Sequence, residues 1–196
     1  TGWSLTMGFV TLVILFGAGM FEGEHATRAD EIAWLIANKD WQWIVPMQMI
    51  GGLTMLIFTA GMLSWIRSID QSAPALHYSG YIVLLGLVVS WVGIISGGAG
   101  ADVAKDNAHA AHALLNLSDI SSFMGVVMMM LSFFLVGTTS YLRKSGTPAL
   151  MGLLALLGIV GAVGAFIPGF GFAVWMVIFP LCLILVAIIG IQQTRA

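Results

Sequence analysis

The chain has 196 residues, of which 59% are hydrophobic and only 8% charged. A soluble domain carries about 25% charged residues, so this composition, with a mean hydropathy of +1.00, excludes an ordinary water-soluble domain and points to lipid as the solvent. The net charge of −2 offers no handle for nucleic acid, and a lone cysteine, Cys182, excludes both a disulfide framework and a cysteine metal cluster.

Six segments reach the roughly 20 apolar residues that a bilayer-spanning helix needs. The predicted fold is therefore all-α, a polytopic bundle of six transmembrane helices with two short amphipathic surface helices in the outer loops, forming one domain over residues 1–196. The first segment, Trp3 to Phe21, has no basic flank and no small-residue cleavage site, so it reads as a retained helix. In the loop after it, "EHATRADEIAWLIANKD", Thr27 and Asp30 have the spacing of a capping box ahead of Ile32, Leu35 and Ile36. That predicts the first surface helix.

The second segment, Trp41 to Ile66, is bracketed by Trp41, Trp43 and Trp65 as an aromatic belt would be. The third runs from Tyr78 to Gly98. On it Gly86, Ser90, Gly93 and Gly97 recur on one face, and small residues let transmembrane backbones approach closely. Packing within the bundle is the favoured use of that stripe, and self-association through it is the alternative. "GGAGAD" (Gly97 to Asp102) follows a helix, so it reads as that helix's end and not as a phosphate cradle.

Next comes "DNAHAAHALLNLSD", Asp106 to Asp119. At 100° per residue, Asp102, Lys105, Asp106, His109, His112 and Asn116 fall within an arc of about 120°. This predicts the second surface helix, lying in the membrane plane, with Ser118 or Asp119 capping the fourth span, Ile120 to Leu142. Pro148 to Phe166 and Phe170 to Ile191 form the last two spans, joined only by the turn "IPGFG" as a tight hairpin. Gly158, Gly161 and Gly164 line a second small-residue face, and Pro46 and Pro180 are candidate kinks.

Loop charge sets the orientation. Arg67, Arg143, Lys144 and Arg195 face Asp70 on one side, while Arg28, Lys39 and Lys105 share the other with eight carboxylates. Counting basic residues alone puts both termini in the cytoplasm, in a multi-pass protein of a bacterial inner membrane.

The sharpest candidate chemistry is a metal site at His109, His112 and Asp106, closed from the other outer loop by His25 with Glu22 and Glu24 nearby. Such nitrogen and oxygen ligands suit zinc, copper or iron. The competing reading is a solvated helix face. Haem would need axial ligands. Met124, Met128, Met129 and Met130 crowd the fourth span, but no histidine lies within a span, which disfavours it. No ionisable side chain lies within a span either, which disfavours a coupled pump, and the absence of an intramembrane lysine disfavours a retinal protein. Thr54, Thr59, Ser90, Ser132, Thr138 and Gln48 read as hydrogen-bonding groups between or within helices.

The stretch Gly137 to Pro168, "GTTSYLRKSGTPALMGLLALLGIVGAVGAFIP", resembles a family of six-helix bacterial membrane proteins defined only as a domain of unknown function. The likeness lies in a helix ending in the basic pair Arg143–Lys144, the turn Ser145 to Pro148, and a Leu-Gly-rich helix after it. The resemblance implies a six-span fold and assigns no activity, cofactor or site residue. Two functional readings follow. The leading one is a non-catalytic accessory or assembly subunit of a membrane complex, with lipid and other membrane subunits as partners. The alternative is a membrane-embedded metal- or haem-dependent oxidoreductase with an outer-face His/Asp site.

Overall fold

The structure is a computed structural model that describes residues 2–22, 27–37, 44–69 and 72–195, with the side chains of 15–22, 44–48 and 195 outside the description. Among these residues there is no strand. The helices are α1 (Gly2–Glu22), α2 (Arg28–Ala37), α3 (Ile44–Ile69), α4 (Pro74–Val103), α5 (Ala108–Leu142), α6 (Pro148–Gly164) and a last helix, α7. This α7 is α-helical over Gly171–Ala173, π-helical over Val174–Ile178 and α-helical again over Phe179–Arg195.

Four stretches are long and apolar enough to cross a membrane by length and composition: Met49–Ile69, Pro74–Val103, Ala108–Leu142 and Gly171–Thr194. Gly2–Ile14 of α1 and the whole of α6 are apolar but shorter. The helices pack in a closed cycle of neighbours, α1 on α3, α3 on α4, α4 on α5, α5 on α6, α6 on α7 and α7 back on α1. Phe58, Met62, Met129, Phe133, Leu154 and Val186 meet inside it and are fully buried. Phe58 and Phe133 approach edge to face at 6.4 Å, tying α3 to α5.

The most extensive pairing is α4 on α5, and the small-residue stripe makes it. A Cβ on Gly125 would stand 2.2 Å from the Ser90 hydroxyl, and one on Gly93 would stand 2.7 Å from that of Ser122. Gly86 and Gly97 abut Met128 and Ser118 in the same way. The stripe thus faces α5 within the chain and is not presented as an outer surface for self-association. Hydroxyls stitch the seam further. Ser118 donates to the Gly93 carbonyl at 2.8 Å, and Ser79 and Ser132 bond each other at 2.7 Å. Between α5 and α6 the obstacle is backbone itself, since a Cβ on Gly137 or Gly158 would meet the opposing backbone nitrogen at 2.6 or 2.5 Å.

Several local expectations are overturned. The "DNAHAAHALLNLSD" stretch is not a separate helix lying in a plane, because α5 runs unbroken for 35 residues from Ala108. Neither Ser118 nor Asp119 caps it. The N-cap is Asn107, whose Oδ1 accepts the Ala110 amide at 3.0 Å, while the Ser118 hydroxyl is taken by α4. "GGAGAD" does end its helix, as expected, forming the last turns of α4, which runs to Val103. Trp65 is 2% exposed and belongs to the core instead of an aromatic belt, whereas Trp41 and Trp43 lie outside the described residues. Pro46 occupies the first turn of α3, where its missing N–H costs nothing. Pro180 does sit at an irregularity, following the π turn. A proline cannot donate to the carbonyl four residues back and crowds it, and the wider turn just before Pro180 accommodates that conflict.

The turn after α5 is a Schellman motif. Ser145 N–H donates to the Ser140 carbonyl at 3.0 Å and Lys144 N–H to the Tyr141 carbonyl at 3.2 Å. Lys144 holds the left-handed position with φ 54°, where glycine is the usual occupant. Lys144→Gly should therefore stabilise the fold by about 0.5–1 kcal/mol, read as a higher apparent melting temperature in detergent, and Lys144→Val should lower that temperature. An inverted or absent ordering in a thermal-shift series would refute the strain. Gly158→Leu should cost at least about 2–3 kcal/mol by overpacking the rigid Phe134 backbone. Gly152→Ala, whose Cβ would meet only the Tyr141 ring at 3.6 Å, is the control. Folded yield on size exclusion should separate the two.

Candidate functional site

Contacts between helices sort the charged residues to two ends. Gly2 abuts Gly190, Gly61 abuts Ser4, and Thr147 donates to Gln192 at 3.3 Å. The start of α1, the end of α3, the α5–α6 turn and the end of α7 therefore share one end, with Arg67, Arg143 and Lys144. The opposite, acidic end holds α2, the end of α4 and the start of α5.

At that acidic end the sequence builds a cap. The chain leaves α4 through a tight turn in which Asn107 N–H returns to the Val103 carbonyl at 2.8 Å. Ala104 is buried, which turns Lys105 and Asp106 outward. Helix α2 starts on the expected capping box. Asp30 Oδ2 accepts from the Thr27 amide at 3.1 Å and from its hydroxyl at 2.7 Å, and Thr27 Oγ accepts from the Asp30 amide at 3.2 Å. The helix then lays Ile32 against Ala104, Ala111 and Leu115, with Leu35 and Val103 packed alongside.

One ion pair ties α2 to α5. Arg28 bonds Glu31 on its own helix and Asp119 on α5, 91 residues away in sequence. Partial burial works against the guanidinium charge, yet the carboxylates of Asp119 and Glu31 outweigh it and hold the Arg28 pKa above the ordinary arginine value. Sequence reasoning missed this pair, having read Asp119 as a helix cap and Arg28 as a loop charge.

The candidate metal ligands fare differently. Asp106, His109 and His112 are all exposed. His109 and His112 sit one turn apart on the outward face of α5, where the Asn116 amide nitrogen lies 3.2 Å from His112 Nδ1. His25 and Glu24 lie outside the described residues. Among the described residues no three His, Cys, Asp or Glu side chains stand together as ion ligands. Met129 and Met130, two of the methionines weighed for haem, are fully buried packing elements, and Met130 lies directly over Gly161. Thr54 donates to the Gly51 carbonyl and accepts from Thr11, and Ser90 donates to the Gly86 carbonyl. Those hydroxyls are spent on helix packing.

A cavity of about 380 Å³ opens between the end of α6 and the start of α7, lined by Ile159, Val160, Val163, Gly164, Ile167 and Phe170. A specific ligand site needs a few placed polar groups, and that lining supplies no polar side chain. The acidic cap is the place where polar groups converge.

The class that these features define is coarse: an all-helical protein with four helices long and apolar enough to cross a membrane. Comparison with family models, with curated proteins and with solved structures finds no match to this chain.

If His109 and His112 are an exposed face, the double variant His109→Ala/His112→Ala should melt within about 0.5 kcal/mol of the parent. Both proteins should then carry the same substoichiometric metal by elemental analysis in detergent. One equivalent of zinc, copper or iron that disappears in the variant would favour the oxidoreductase reading.

Proposed function

We propose that the chain is an integral membrane protein of six spans, α1 and α3 to α7, and that it serves as an accessory or assembly subunit which docks a partner on its acidic cap. Both termini are cytoplasmic in this reading, in a bacterial inner membrane, and the cap faces outward. The observation that carries it is the length of the α4–α5 hairpin. At 1.5 Å per residue the 30 residues of α4 and the 35 of α5 extend about 45 and 52 Å, against a hydrocarbon core of about 30 Å. The excess lies at the acidic end, where Asp102, His109 and His112 are displayed on the two helices, Lys105 and Asp106 on the turn between them, and α2 buttresses the side.

Further support comes from the opposite end. Trp3, Tyr78, Tyr81 and Tyr141 are exposed there, next to the basic residues. Amphipathic rings beside lysine and arginine are what a cytoplasmic headgroup layer favours. Helix α6, at 17 residues, is short for a span, a mismatch that local thinning of the bilayer accommodates. The small-residue faces are consumed inside the chain, so docking falls to the cap.

Single cysteines at Lys144 and His109, introduced one at a time in cells, test the orientation. A membrane-impermeant maleimide should label position 109 alone, and labelling of 144 alone would invert the topology. A photo-reactive residue at 109 or 113 should give one adduct of defined mass, absent when the probe sits at the exposed mid-helix position Leu85. The docking reading fails if no cap position gives an adduct.

A further inference from the structure

Helix α2 lies antiparallel along the projecting part of α5. Its first residue, Arg28, meets Asp119, and one turn on, Ile32 shares a cluster with Leu115, Ala111 and Ala104. Arg28, Ile32 and Leu35 follow the spacing of one helix face. Ala29, Asp30, Ala33, Ile36 and Ala37 are exposed, while Glu31 and Trp34 are half-buried. Ile32 is the one buried side chain of the helix.

These contacts are weak beside those of α4 and α5. The Arg28 side chain is 20% exposed but that of Asp119 keeps 65% of its surface in solvent, and an ion pair open to water on one side contributes modestly and is screened by salt. The apolar cluster is four buried residues, three of them on the α4–α5 hairpin itself. Ten residues are also too few for a helix that persists alone in water, so α2 unwinds when it leaves the hairpin. The hairpin has its own glycine–serine seam, made without α2.

From this we infer that α2 is a reversible strap, latched by Arg28 and Asp119, which opens as a unit while the α4–α5 hairpin remains intact. Opening uncovers Ala111 and Leu115 and controls when the cap offers an apolar surface. The inference goes beyond partner docking and stands or falls without it, because its test uses the isolated chain.

Hydrogen–deuterium exchange of the full chain in lipid nanodiscs reads the strap directly. Amides of α2 should exchange at least about tenfold faster than those of His112 to Leu117, since local units open below the global unfolding free energy. Asp119→Asn should speed α2 by roughly two- to fivefold and leave the hairpin unchanged, as loss of an exposed pair implies. Raising salt to about 1 M should do the same to the unaltered protein. Equal rates for α2 and the hairpin, or an α2 rate insensitive to both salt and Asp119→Asn, would overturn the strap. Should the variant misfold, exchange at Met130 and Phe133 will rise too, and the salt series on the parent then decides.

Discussion

The close approach of α4 to α5 is the constraint on which the rest of this structure depends. In apolar surroundings there is no hydrophobic gain in bringing two greasy helices together, so association rests on dispersion contacts and a few hydrogen bonds. Dispersion falls off steeply with a gap of even half an ångström, and only glycine and serine allow the contact distances seen here. Gly86, Gly93, Gly97 and Gly125 remove the Cβ atoms, while Ser118 donates to the Gly93 carbonyl across the seam and Ser90 bonds back within its own helix. Gly137 and Gly158 repeat the device between α5 and α6. Helix α5 is thereby fixed on two sides, and the cycle of helices closes around Phe133 and its neighbours.

That rigid pairing carries the acidic end. Because α4 and α5 stay in register past Gly97 and Ser118, their ends form a hairpin braced by Gly100 against Leu114 and Leu115. The histidines and carboxylates that look like a ligand set in one dimension are spread over the outside of this hairpin, where water can solvate each of them. Contacts thin outward, from the interlocked seam, through the turn capped by Asn107, to α2, which packs on a small cluster and carries an ion pair to α5.

Much of the local structure was legible from sequence because its causes are local. Composition specified an all-helical, lipid-compatible chain. The Thr27–Asp30 capping box, the Ile167 to Gly171 turn and the helix start at Pro148 rest on hydrogen bonds and dihedral preferences within a few residues. The stripe from Gly86 to Gly97 was legible as a packing face, although its partner was not. Ser118 and Asp119 carry good capping chemistry. They do not stop the helix, because the apolar residues on both sides share one continuous face against α4.

Only tertiary structure decided which faces are covered. It turned Trp65 inward, set Ser118 against Gly93, and joined Arg28 to Asp119 across 91 residues. The physical reason is the same in each case. Capping and turn energies are settled within one turn of chain, whereas burial and ion pairing depend on which other helix arrives alongside. In a chain this uniformly apolar, hydropathy marks the helices, but their pairing is left to the shape of small residues.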